Sequence, residues 1–160
     1  MIKANTIRDD LCALALTKLN NKYVHGDFGP DTFDCAGYVW YVYNEILGID
    51  IFKGGYGLST TTMIMTSNYG KLTVFNDKKN IDLINRGDIV LLHRQSLNDN
   101  MPKVDNKYPG HCGIYIGNNK FIHASGTKKQ ILINSFYNNY WYTKLVACKD
   151  IVSECKVLKK

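Results

Sequence analysis

No stretch of the 160-residue chain approaches 18 consecutive apolar residues, which excludes a membrane-spanning helix. The opening residues, MIKANTIRDDLCALALTKLNN, lack the basic head of a secretory signal. Asp9 and Asp10 stand where that head would be, Thr17 and Lys18 interrupt the apolar stretch, and no small-residue cleavage site follows. Residues 1–20 are therefore expected to be part of the fold, and work outside the cell would need another route of release. CxxC spacing is also missing, and five cysteines cannot all pair, so reduced thiols are expected instead of a secreted disulfide framework. No compact ligand pair at helical spacing marks a metal site, and no cofactor is implied. Neither a nucleic-acid motif nor basic residues interleaved with aromatics is present. Without an internal repeat or a linker, residues 1–160 read as one domain, expected to be monomeric.

What the chain does have is 45% hydrophobic residues, enough for a single globular core. Its net charge is +6, from 20 basic and 14 acidic residues. Lysines are dispersed apart from pairs at Lys78–Lys79, Lys128–Lys129 and Lys159–Lys160. This charge has two readings, simple solubility and attraction to a polyanion such as an anionic cell wall. Under the second, raising salt should slow any reaction at the wall. The Lys-, Asn- and Ile-rich composition suggests an AT-rich genome, as in a low-GC Gram-positive host or its phage.

Helical spacing of Ile7, Leu11 and Leu14 predicts a helix over 6–19, with Thr6 as cap and Asp9 completing a capping box. The loop HGDFGPDTFD (25–34) leads into a second helix over 35–47, whose stripe is Val39, Val42, Tyr43 and Ile46 and whose stop is Gly48. A glycine-rich loop follows, with a short helix starting near Ser59 or Thr60. Residues 87–92, 112–117, 120–125, 130–135 and 143–148 read as strands. Residues 95–110 read as a polar exposed loop, and the tail SECKVLKK as frayed or packed as an edge. Helices first and a strand meander second give an α+β fold.

Cys35 opens the second helix, and four readings compete for it. Buried packing is the usual fate of a free cysteine. A disulfide is disfavoured by the odd count, and metal ligation with His111 and His123 lacks helical ligand spacing. The fourth reading is a nucleophile: free amides and the helix dipole at a helix start favour a thiolate. Asp34 works against a thiolate by its charge unless it caps the helix with its side chain turned to backbone amides.

A nucleophile needs a base, and the hairpin HCGIYIGNNKFIHAS (111–125) offers two histidines. With a plain two-residue turn they would fall on opposite faces, and His123 would join the isoleucines. With one extra loop residue or a bulge, Cys112, Ile114, Ile116, Ile122 and Ala124 share an aliphatic face. His111, Gly113, Tyr115, Phe121, His123 and Ser125 then share the other. The hydrophobic pattern selects the second register. His123 then lies opposite Gly113 and diagonal to His111, roughly 7–8 Å away, with Gly113 leaving room between the rings. Cysteine, base and an orienting residue make the arrangement of a thiol hydrolase, with one histidine as base and the other fixing its tautomer. Strand parity does not say which is which.

FDCAGYVWYVY, RGDIVLL, HCGIYIGNNKFIHAS and the Tyr140–Trp141 pair resemble, in order and spacing, the NlpC/p60 cysteine peptidases, papain-like hydrolases of bacterial peptidoglycan. The resemblance spans about residues 7–147. It implies a papain-like fold with N-terminal helices on a C-terminal antiparallel sheet, and Cys35 as nucleophile, His111 as general base and His123 as orienter. It further implies Tyr23 as a substrate or oxyanion contact, beside the Cys35 amide, and matches Asp34 to the residue before the family cysteine. Ala36 stands where the family commonly has a serine that contacts the peptide, YVHGDFG replaces a more usual Tyr-x-Trp-Gly-Gly run, and the 95–110 loop is longer than usual, suited to a lid or partner surface. The implied substrate is a stem-peptide bond next to γ-D-glutamate, and the implied setting a phage lysin, a tail-associated or mobile-element hydrolase, or a domain of a larger secreted protein.

Two rival functions keep the same residues. One is a thiol deamidase or acyltransferase on another substrate; the other is a non-catalytic wall-binding or phage-tail module. Cys12, Cys112 and Cys148 are expected in the core, His25 and His93 in surface or structural roles, and the aromatic cluster Tyr137, Tyr140, Trp141 and Tyr142 in core and rim.

Overall fold

The computed structural model of the protein describes residues 4–96 and 100–157. Helix α1 spans Ala4–Thr17 and α2 spans Cys35–Leu47. The start of α1 lies upstream of the expected capping box, so Thr6 sits inside the helix and caps nothing. Helix α2 has the expected bounds because both ends are chemically marked. Asp34 accepts from the Gly37 amide at its start, and Gly48, at φ 68°, closes it in the left-handed conformation that a side chain disfavours. Helix α3, Thr60–Thr66, is capped by Ser59.

Six strands follow: β1 (Lys71–Val74), β2 (Ile89–Leu92), β3 (His111–Gly117), β4 (Lys120–Ser125), β5 (Gln130–Ser135) and β6 (Leu145–Asp150). They form one antiparallel sheet in the order β1-β6-β2-β3-β4-β5, so the architecture is α+β. Strand β1, helix α4 (Asn139–Lys144) and a 3-10 turn at Ile81–Leu83 were not foreseen. Strand β1 is short and half exposed, with no alternation to announce it. Helix α4 carries Tyr140, Trp141 and Tyr142 between β5 and β6.

The two sheet faces bury different cores. Ile7, Leu11, Val39 and Val42 from the helices meet Ile89, Leu91, Ile114 and Ile122 on one face. On the other, Tyr115, Phe121, Phe136 and Leu145 form a smaller aromatic cluster with Trp141 against it. The tail departs from expectation: Val152–Val157 forms a 3-10 turn packed on α1, with Val152 and Cys155 in the helix-side core; residues 158–160 lie outside the described residues. The 95–110 stretch also departs. Residues 97–99 lie outside the described residues, but Met101, Val104 and Tyr108 are buried, so their apolar side chains draw the segment onto the body.

Two polar ties fix the frame. Arg8 of α1 donates to Asp88 at 2.8 Å and Asp150 at 3.0 Å, an ion-paired knot at the sheet's end. From β6, the buried Lys149 ammonium donates to the carbonyls of Ile64, Met65 and Ser67 at 2.7, 3.2 and 3.0 Å. These carbonyls lie at and just past the C-terminal end of α3, where the helix dipole favours a cation, so the ammonium ties that helix end to the sheet.

Candidate active site

Cys35 is the first residue of α2 and is 9% exposed. Asp34, just before it, spends both carboxylate oxygens on backbone amides, Gly37 at 2.7 Å and Gly26 at 3.0 Å. Its charge is thereby engaged in shaping the helix start. Gly37 is required there: a Cβ would lie 2.2 Å from the Asp27 carbonyl oxygen, so only glycine lets the 25–34 loop close over this turn. The sulfur of Cys35 stands 3.9 Å from the Thr61 hydroxyl of α3, and the Cys112 sulfur lies 3.9 Å from the same hydroxyl. The Cys35 thiol is held well below the ordinary range. A hydrogen bond from Cys112 contributes most, and hydrogen bonding and charge from His111 and a hydrogen bond from Thr61 add to it, while burial pushes the other way.

The β3–β4 hairpin closes through Asn118–Asn119, both at positive φ, with the extra residue taken up as a bulge between Tyr115 and Gly117. Ile114 pairs with Ile122 and Tyr115 with Phe121, the register that puts the two histidines on one face. At Gly113 a Cβ would lie 3.0 Å from the His123 Cβ and 2.8 Å from the Ile122 carbonyl oxygen, so glycine opens the space the rings use. His111 Nε2 is 2.8 Å from His123 Nδ1, and His123 Nε2 is 2.7 Å from Asn134 Oδ1.

These contacts define tautomers. With Asn134 Oδ1 as acceptor, His123 carries its proton on Nε2, and its Nδ1 accepts from His111 Nε2–H. His111 Nδ1 is then left without a proton, ready to take one. His123 is 1% exposed, and its pKa is pushed down to about 4, chiefly by burial and then by the charge of His111. It stays neutral through the physiological range. Its ring packs 5.2 Å from Trp141 and 4.8 Å from Phe121, centroid to centroid, which fixes its plane.

A groove runs over this site in two basins that share His25 and Arg94. The larger, about 530 Å³, lies over His111 and His123 and reaches Tyr23 and Trp141. Its described lining carries Arg94, Lys129 and Lys144 and no carboxylate. The smaller, about 350 Å³, holds Cys35 and Thr61, walled by Met101 and Tyr108 from the 95–110 segment. The segment expected to be an exposed loop is therefore a groove wall.

Of the residues singled out from sequence, Cys35, His111, His123, Tyr23 and Asp34 are brought together. Burial and the nearby Cys35 and Asp34 raise the Tyr23 pKa, keeping its hydroxyl protonated. Asp34 is a helix cap whose two carboxylate oxygens each accept from a backbone amide, and it also lines the smaller basin. Ala36 is a correction: it is 0% exposed in the helix-side core, because position 36 points inward, and its methyl meets no groove. His25 is exposed and His93 is half-buried with its Nδ1 3.2 Å from the Tyr108 carbonyl oxygen, and both also line the larger basin. Asn134, Thr61 and Arg94 were missed. Asn134 was within reach of strand parity: β5 pairs Asn134 with Phe121 and Leu132 with His123, which puts Asn134 on the histidine face. Thr61 and Arg94 carry no such signal.

Among known proteins, the profile of the NlpC/P60 family matches residues 20–150. The chain is 28% identical over 142 residues to the probable endopeptidase YafL of Escherichia coli, covering 88% of this chain and 49% of that protein. It is 31% identical over 127 residues to the probable peptidoglycan endopeptidase LytE of Bacillus subtilis, covering 79% of this chain and 29% of that one. The chain thus spans half or less of the length of either relative. The structure of NlpC1 from Trichomonas vaginalis superposes with a TM-score of 0.66 at 27% identity, covering 94% of this chain and 46% of that one.

Proposed function

The chain belongs to the NlpC/P60 family, and on that premise we propose that it is a cysteine peptidase hydrolysing amide bonds in the stem peptides of bacterial peptidoglycan, next to γ-D-glutamate. The observation that carries this reading is the proton path behind the nucleophile: a helix-start thiol with depressed pKa, then His111, His123 and Asn134 joined at 2.8 and 2.7 Å. The names of the peptidoglycan-cutting relatives support the substrate class.

The chemistry follows from the tautomers. His111 Nδ1 takes the Cys35 proton, and the thiolate attacks the amide carbon. The free Cys35 amide at the helix start and the protonated Tyr23 hydroxyl are the donors for the developing oxyanion. His111, now protonated on both nitrogens and carrying one positive charge, is steadied by neutral His123 and returns its proton to the leaving amine. A water activated by the same ring then releases the acid. The basic lining of the larger basin suits the free carboxylates of such peptides, and the net charge of +6 suits an anionic wall, the place of action on this reading.

The test is mass analysis of fragments released from purified peptidoglycan by wild type and by Cys35→Ala. Wild type should release fragments with a new amine and a new carboxylate at one stem-peptide bond, and Cys35→Ala should release none. Equal release by both proteins overturns the reading.

A further inference from the structure

The cleavage chemistry needs one sulfur, yet a second is buried beside it. Cys112 and Cys35 each lie 3.9 Å from the single hydroxyl of Thr61, and α2 packs directly on β3. Both sulfurs belong to the helix-side core, so no strand separates them. Their exposures differ in a useful way: Cys35 opens on the groove, whereas Cys112 is 0% exposed. A small oxidant reaches the first and not the second. Of the other cysteines, Cys12 contacts the Tyr115 carbonyl at 3.8 Å, Cys148 lies in the aromatic cluster across the sheet, and Cys155 lies in the tail turn packed on α1.

We propose that Cys112 is a resolving thiol for Cys35, and that oxidation by a hydroperoxide closes a Cys35–Cys112 disulfide that switches the nucleophile off reversibly. In the first step the Cys35 thiolate attacks one oxygen of hydrogen peroxide. The O–O bond breaks, hydroxide leaves, and Cys35 becomes a sulfenic acid: its sulfur is oxidised and the peroxide reduced. In the second step the Cys112 sulfur attacks the Cys35 sulfur, the S–O bond breaks, and the departing hydroxide leaves as water with the Cys112 proton. Two thiols and one peroxide yield one disulfide and two waters. The Cys112 pKa is raised first by its hydrogen bond with Cys35 and then by burial, and converting the Cys35 thiolate to a neutral sulfenic acid removes the first cause and leaves the second. Formation of the bond requires the two sulfurs to close to about 2.05 Å.

The experiment needs no peptidase assay, so it stands apart from the functional reading. The purified full chain is treated with excess hydrogen peroxide, alkylated with iodoacetamide, and mapped by mass spectrometry without reduction. Wild type should lose two hydrogen masses, give one cross-linked peptide pair containing Cys35 and Cys112, and lose Cys35 alkylation. Dithiothreitol should restore that alkylation. In Cys112→Val and Cys112→Ser, Cys35 should instead gain two or three oxygens, and alkylation should not return. Irreversible oxygen addition at Cys35 of wild type, or a disulfide to any other cysteine, overturns the proposal without reference to either variant.

Discussion

Replacing His123 with Phe should change how the protein's stability depends on acid, by an amount the structure supplies. The His123 ring is held neutral, its pKa lowered from 6.5 to about 4 by burial, while the unfolded chain titrates it normally. Between those values the unfolded state binds more protons. The stability that wild type has above pH 6.5 is therefore lost as pH falls through 6.5 towards 4. Linkage over that interval gives a loss of about 2 kcal/mol at pH 5 and about 3 kcal/mol once both states are protonated. Phe keeps an aromatic ring at the position that packs against Phe121 and Trp141, and it cannot titrate. Urea unfolding at pH 7 and pH 5 should therefore show the variant gaining about 2 kcal/mol on wild type at the lower pH, whatever its stability at pH 7. Histidine-ring NMR gives the direct check: His123 should remain neutral at pH 5. Parallel pH dependences in the two proteins, or a His123 ring titrating near 6.5, would refute the buried neutral imidazole and the tautomers built on it.

Asn134→Ala removes the acceptor that fixes the His123 tautomer, and should lower kcat by about 10-fold or more with KM little changed; a KM effect alone would make Asn134 a substrate contact. Cys112→Val removes the leading cause of the depressed Cys35 pKa. The pH midpoint for Cys35 alkylation by iodoacetamide should then move up, and an unmoved midpoint would assign the depression to His111 and Thr61. Arg8→Ala leaves Asp88 buried without its 2.8 Å partner and should cost about 3–5 kcal/mol in denaturant unfolding; a loss below about 1 kcal/mol would mark the pair as a surface-like contact.

The sequence was legible where local chemistry and tertiary context agree. Asp34 and Gly48 bracket α2 by capping rules alone, and aliphatic parity in the β3–β4 hairpin is enough to set its register and face both histidines one way. It was opaque where tertiary packing decides. The 95–110 segment is polar in composition, yet Met101 and Tyr108 find a hydrophobic seat that no periodicity announces. Thr61 meets Cys35 across 26 residues of chain because α3 docks there, and nothing in STTTMIMT encodes that docking. Position 36 matches a peptide-contacting serine by family resemblance, but one helical step of 100° from Cys35 turns Ala36 into the core.

Lys149 shows how far the nucleophile's surroundings extend. Its ammonium grips the closing turn of a seven-residue helix whose opening turn bears Thr61. So short a helix has little rigidity of its own. Loosening that anchor, on the strand beside the sheet's edge, would let the hydroxyl drift from the two sulfurs it touches. A survey confined to groove residues would pass over this lysine, yet through it the reactivity of the thiol is set partly from outside the groove.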